Sequence, residues 1–128
     1  MPTRLILMML LVVVSGSAAA GWVEVGSNEA EGITVYTNPG TIRKVGNKVK
    51  MWSLSNYDTY QESVGKSMKN LDEYDCKEER ARVLHFSSHS ENMGGGRVVA
   101  TATGPDSWTP ISPDSIGAIL WKFACRKR

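Results

Sequence analysis

Long apolar runs are scarce in this chain of 128 residues, and so is any excess of charge. Its longest apolar run, residues 5–14, is about half the length of roughly twenty residues that a membrane-spanning helix needs. Fifteen basic residues stand against 13 acidic ones, which does not provide the dense basic face of a nucleic-acid-binding protein. We therefore expect no nucleic-acid partner and no membrane span in the mature protein.

The short apolar run has the features of a secretory signal peptide. Arg4 precedes it, Ser15 and Gly16 follow it, and Ala18 and Ala20 supply small residues before a cleavage site at residue 21. No cysteine follows these small residues to accept a lipid. We therefore predict a signal peptide at residues 1–20 and a single domain at residues 21–128. This domain is expected in the periplasm, outside the cell or at the cell surface, without a lipid anchor.

Cysteine is rare in the chain, which contains only Cys76 and Cys125. Both lie in the part that is predicted to be exported. In an oxidising compartment an isolated pair of cysteines forms a disulfide by default. The cross-link would close a loop of about fifty residues, which corresponds to roughly 4 kcal/mol of chain entropy. We therefore predict a Cys76–Cys125 disulfide.

Alternating and β-branched segments predict an antiparallel sheet of about six strands. Gly46 and Asn47 are typical of the turn of a hairpin. Residues 58–65 are polar and predict a loop, whereas residues 66–75 fit either a helix or a strand, of which we favour the strand. The other predicted strands cover residues 22–25, 33–37, 41–45, 48–57, 80–90 and 97–102.

The C-terminal segment predicts an amphipathic helix of about eleven residues that ends near Cys125. Ser112 is a candidate N-cap, and Pro113 suits the first helical position. One face of this helix is apolar, at Ile116, Ile119, Leu120 and Phe123. The predicted fold class is therefore α+β, with an antiparallel sheet, one C-terminal helix packed on it and one disulfide.

Motifs of catalysis, metal binding and cofactor binding are missing. His85 and His89 lie four residues apart on a predicted strand, which places them about 13 Å from each other, too far to share a metal ion. No serine stands in a Gly-x-Ser-x-Gly elbow, and glycines 94–96 lack the Lys-Ser/Thr of a phosphate loop. We predict no catalytic residue, metal or cofactor. A salt-bridged, solvated face is expected where acidic and basic residues are interleaved, at Asp72, Glu73, Asp75, Lys77, Glu78, Glu79, Arg80 and Arg82.

Basic residues flank the predicted hairpin, at Arg43, Lys44, Lys48 and Lys50. They either bind an acidic partner or glycan, or protect an edge strand from pairing with another chain, and we favour edge protection. The tryptophans offer a similar choice between a core and a binding platform, and we favour the core. They are Trp52, Trp108 and Trp121.

An ordered set of residues runs through nearly the whole mature chain. It comprises Val35-Tyr36, Ile42, Gly46, Val49-Lys50-Met51-Trp52, Asp75-Cys76, Arg80, Arg82, Met93-Gly94-x-Gly96, Trp108-x-Pro110-Ile111-x-Pro113-x-Ser115, Trp121 and Cys125. In this set the chain resembles the surface-adhesin protein E family of Gram-negative bacteria. The resemblance implies a non-enzymatic exported protein whose C-terminal helix is fastened by the disulfide. Arg80 and Arg82 are a matched charged pair, and they join the four hairpin residues as candidate partner-binding residues.

We therefore predict a non-enzymatic exported domain that binds a host or envelope protein. Two alternatives stay open: a periplasmic inhibitor of a hydrolase such as lysozyme, and a small periplasmic hydrolase. An exposed sheet edge would also allow a dimer to form by strand addition.

Overall fold

Eight antiparallel strands form one sheet, and a C-terminal helix packs on one of its faces. The structure is a computed structural model that describes residues 21–126, so the predicted signal peptide lies outside the described residues. The elements are β1 (Val23–Asn28), β2 (Ile33–Thr37), β3 (Arg43–Val45), β4 (Lys48–Gln61), β5 (Gly65–Asp75), β6 (Arg80–His89), β7 (Val98–Thr103), β8 (Thr109–Pro110) and α1 (Ile116–Cys125), with 3₁₀ turns at Pro39–Thr41 and Asn92–Gly94.

Six strands form the main sheet in the order β1-β2-β4-β5-β6-β7, while β3 pairs with β4 and β8 pairs with β6. Every pairing is antiparallel. The predicted α+β fold with a helix on an antiparallel sheet is confirmed. The sequence did not predict β8, because a strand of two residues is too short to show a period-2 pattern.

The hairpin at Gly46 and Asn47 is confirmed, because Val45 pairs with Lys48 across it. The predicted loop at residues 58–65 is wrong over most of its length, since β4 continues to Gln61 and Gln61 pairs with Gly65. Polar side chains are tolerated at this exposed end of the hairpin. The favoured strand at residues 66–75 is also confirmed. Pairing with β4 and β6 on both sides decides its conformation, whatever helical spacing its apolar residues show.

The core lies between α1 and one face of the sheet. Alternate positions of β4 point into it, and Val49 and Met51 are almost completely buried. Leu120 and Ala124 of α1 pack against them, together with Val35 and Tyr74. Trp121 packs against the same cluster, so its predicted place in the core is confirmed. Within residues 21–126, no helix is long and apolar enough to cross a membrane.

The predicted N-cap of the helix is wrong by three residues. Ser115 caps α1, with its Oγ accepting a hydrogen bond from the Ala118 N–H at 3.1 Å. Asp114 has φ of 61°, and a residue in this left-handed region cannot continue a helix from Pro113. Ser112 instead accepts a hydrogen bond at its carbonyl oxygen from the Ser115 hydroxyl at 2.6 Å.

The predicted disulfide is confirmed. The Cys76 and Cys125 sulfurs are 2.04 Å apart, and the bond joins the turn after β5 to the end of α1.

Candidate functional site

The second face of the sheet, which α1 does not cover, collects basic and aromatic side chains. We call it the helix-free face. Strand alternation and register place Arg43, Lys50, Glu73 and Arg82 in one row across β3, β4, β5 and β6. Lys48, Asp75 and Arg80 form the next row. Side chains from four strands therefore meet on one surface.

Trp108 lies at one end of these rows, just before β8, and three cations surround its indole ring. The guanidinium carbons of Arg82 and Arg80 lie 4.3 and 4.7 Å from the ring centroid. The Lys48 Nζ lies 6.0 Å from it. Contacts in this range are cation–π interactions. The β6–β8 pairing sets this geometry, because Pro110 lies opposite Arg80.

Carboxylates orient the two arginines from the neighbouring strand. Arg82 Nη2 lies 2.8 Å from Glu73 Oε1, and Arg80 Nε lies 3.0 Å from Asp75 Oδ2. Asp75 is buried, and its Oδ1 accepts hydrogen bonds from the main-chain N–H groups of Lys77 and Glu78. The predicted ion pairs exist, but the expectation of a solvated face is wrong at Asp75, which is buried, and at Asp72, which the register places on the core face.

The surroundings of Asp75 favour its charged form. The main-chain N–H of Glu78 lowers the pKa of this carboxyl most, the Arg80 side chain and the N–H of Lys77 lower it further, and burial opposes them. A charged Asp75 therefore holds Arg80 in place beside Trp108.

A second aromatic centre lies nearby on the helix-free face. Trp52 contacts His85 edge-to-face with ring centroids 5.9 Å apart, and the Lys69 Nζ lies 5.8 Å from the Trp52 ring centroid. A cavity of about 290 Å³ opens beside the ring, lined by Arg43 and Lys50 as well as Trp52. The face therefore offers a cavity whose lining includes one aromatic ring and two cations.

Five of the six candidate partner-binding residues share the helix-free face. They are Arg43, Lys48, Lys50, Arg80 and Arg82. Lys44 is separated from them, because it pairs with Val49 and so belongs to the opposite side of the hairpin.

The favoured explanation of edge protection is wrong for Lys48 and Lys50. They lie on β4, which is paired with β3 on one side and β5 on the other.

The favoured core location is also wrong for Trp52 and Trp108, neither of which belongs to the core cluster. Sequence reasoning missed Lys69 and His85 as neighbours of Trp52. For Lys50 and Trp52 there was a signal: both alternate with the buried Met51 along β4, which places these two side chains on the helix-free face.

The two histidines have different partners. His85 Nδ1 lies 3.2 Å from the Thr103 hydroxyl, and His89 Nε2 lies 2.8 Å from the Ser87 hydroxyl. Burial lowers the pKa of His89, and the charge of Lys69 lowers it further. Over residues 21–126, no group of three or more potential ligands is arranged to hold a metal ion.

The sequence profile of the surface-adhesin protein E family matches residues 22–126. The chain belongs to this family. Its fold is similar to the crystal structure of protein E from non-typeable Haemophilus influenzae, with a TM-score of 0.53 at 14% sequence identity. That similarity covers 83% of this chain and 76% of the other, and at this identity it concerns the fold alone. No curated protein sequence matches the chain significantly.

Proposed function

We propose that this member of the surface-adhesin protein E family is a non-enzymatic exported protein that binds an acidic protein partner through its helix-free face. The observation that carries the proposal is the placement of Arg80 and Arg82 beside Trp108, in line with the cations of β3 and β4. Six cations on this face, including Lys69, stand against three carboxylates among the described strand residues, Glu24, Glu73 and Asp75.

The chemistry of the face suits protein recognition. Tryptophan and arginine are enriched among the residues that dominate binding energy at protein interfaces. Glu73 and Asp75 hold the two arginines before any partner arrives, so less side-chain entropy is lost on binding. The surplus of positive charge would speed the encounter with an acidic surface and select against basic ones.

Family membership supports a binding role over catalysis, and it also supports export, together with the predicted signal peptide. The hydrolase alternative requires a concave pocket with a titratable pair of perturbed pKa. His85 and His89 have separate partners and do not form such a pair. Asp72, whose pKa is raised, lines a cavity together with Asp106, so this alternative stays open. Inhibition of lysozyme is retained as an outcome of the experiment below.

The experiment uses the mature protein against immobilised acidic matrix proteins, each with and without its glycans, in parallel with a lysozyme activity assay. We expect Trp108→Ala and Lys50→Glu to weaken binding about tenfold or more, and added salt to weaken wild-type binding. Lys44→Glu is the matched control, because it makes the same charge change on the other side of the hairpin. Equal losses in Lys44→Glu and Lys50→Glu would contradict the proposal. Binding that disappears with the glycans would replace the protein partner by a glycan.

Dimerisation through a sheet edge stays a prediction. The strands β1 and β7 end the strand order of the main sheet, and each has one hydrogen-bonding side that a second copy would use. Sedimentation velocity of the mature protein tests this, with a monomer at all concentrations as the contrary result.

A further inference from the structure

A cavity of about 320 Å³ lies on the helix side of the sheet, between β5, β6 and the segment that leads into α1. Ala81 and Val83 form part of its apolar wall on the sheet side, and Ile111 lines it from the connecting segment. Two carboxylates, Asp72 and Asp106, also line it. The cavity is separate from the helix-free face, so an inference about it is independent of the function proposed above.

Asp72 is the unusual group in this cavity. The register places it on the core face of β5, between Met51 of β4 and Val83 of β6. Its Oδ1 is buried and has no hydrogen-bond partner among the described residues. Its Oδ2 receives a long hydrogen bond of 3.4 Å from the Tyr74 hydroxyl, and the Asn70 side chain also interacts with the carboxyl. A buried carboxylate oxygen without a donor is costly, and a cation beside the carboxyl would offset part of this cost.

We propose that this cavity binds an alkylammonium group, whose charge pairs with the carboxylate of the lining residue Asp72 and whose alkyl chain lies against Ala81, Val83 and Ile111. The group is either the end of a lysine side chain of a bound peptide or a free alkylamine, and both share this chemistry.

The charges around the cavity support a cationic ligand. Asp106 adds a second negative group. Arg82 also contributes to the lining, but its guanidinium binds Glu73 and lies over Trp108 on the other face of the sheet. Burial raises the pKa of Asp72 to about 6, while the side chains of Tyr74 and Asn70 act in the opposite direction. The carboxyl is therefore mostly ionised at pH 7, and a bound cation would lower its pKa again.

Tyr74 is the other titratable group that contacts the Asp72 carboxyl. Burial and the nearby charge of Asp72 raise the pKa of Tyr74 well above its usual value, so the phenol remains a neutral hydrogen-bond donor. It therefore supplies no positive charge beside Asp72, whereas the proposed cationic ligand would.

The experiment titrates the isotope-labelled mature protein with n-butylamine at pH 7 and follows the amide signals of Asp72, Ser107 and Ile111 by NMR. n-Butanol is the control ligand, since it has the same chain without the charge. Nα-acetyl-lysine amide and its norleucine counterpart distinguish a peptide source from a free amine. We expect n-butylamine and the lysine compound to shift these signals and to lower the pKa of Asp72.

Asp72→Asn keeps the shape of the side chain and removes its charge, and we expect it to weaken binding at least tenfold. Asp58→Asn is the matched control: it makes the same change at an exposed position, and binding should change by less than twofold. Asp106→Asn should weaken binding severalfold. Equal shifts with n-butanol, unchanged binding in Asp72→Asn, or no shift with either amine would overturn the proposal.

Discussion

Trp121 donates a hydrogen bond from its indole Nε1 to the main-chain oxygen of Asp75, at 3.0 Å. This contact joins α1 to the end of β5, one residue before the Cys76–Cys125 disulfide. The carboxylate of the same Asp75 binds Arg80 on the helix-free face. Asp75 therefore connects the helix, the disulfide turn and the proposed binding surface.

Replacing Trp121 by phenylalanine tests the contact with Asp75. The substitution keeps a large apolar ring and leaves the Asp75 carbonyl oxygen without this donor. We expect a loss of about 1–2 kcal/mol in the free energy of unfolding, measured by urea denaturation. Trp52→Phe is the control, because the Trp52 ring lies outside the core, and it should cost less. An equal loss in both variants would contradict the assigned role of Trp121.

The disulfide should contribute a large share of the stability. The bond spans 49 residues, and the chain-entropy model gives about 4 kcal/mol for a loop of this length. We expect the Cys76→Ser/Cys125→Ser double variant to lose roughly this amount in urea denaturation. The reduced wild-type protein should match the double variant. A loss below about 1 kcal/mol would mean that the unfolded chain is already restricted near this loop.

The two serines before α1 should differ in their effects on stability. Ser115→Ala removes the N-cap, which typically costs about 1 kcal/mol. Ser112 accepts the hydrogen bond from the Ser115 hydroxyl with its main-chain carbonyl oxygen, which alanine retains. Ser112→Ala should therefore cost only a few tenths of a kcal/mol. Thermal unfolding of the two variants measures the difference. A larger loss in Ser112→Ala would support the N-cap predicted from the sequence.

Asp72 should make the protein less stable as the pH rises. Its folded pKa of about 6 exceeds its ordinary value of 3.8, so the folded state binds the proton more tightly than the unfolded state. Between these two values the wild type should lose up to about 3 kcal/mol relative to Asp72→Asn. Urea denaturation at about pH 4 and pH 7 measures this, and parallel stability curves for the two proteins would contradict it.

Asp75 should show the opposite pH dependence. Its pKa is lowered in the folded state, first by the N–H of Glu78. Its contribution to stability is therefore present above its unfolded pKa of about 4 and is lost as the pH falls through the lower folded value. We expect Asp75→Asn to lower the melting temperature at pH 7, with the gap to wild type closing in acid. If the difference in melting temperature between Asp75→Asn and the wild type stayed constant down to pH 2, the charge of Asp75 would not contribute to the stability.

Local patterns in the sequence determined most of the fold. The β-branched run of β2, the Gly46-Asn47 turn and the apolar stripe of α1 each carry their own signal, because the alternation of strand residues and the spacing on a helix depend only on neighbouring positions. The disulfide was also predictable, since two cysteines in a chain that is predicted to be exported leave one pairing. The polar end of β4 was missed because its side chains carry no apolar alternation, although Gln61 pairs with the nearby Gly65. The two-residue β8 was missed because it is too short to show a pattern and its partner β6 lies about thirty residues away.

Only the tertiary structure decided which side chains meet. The register of β3, β4, β5 and β6 brings Arg43 and Lys50 into one row with Arg82, and it separates Lys44 from them. The same register turns Asp72 toward the core and its neighbour Glu73 toward Arg82, although both belong to one acidic run. A strand sequence specifies two faces, but which face α1 covers depends on contacts between distant segments, and this decides which residues remain available to a partner.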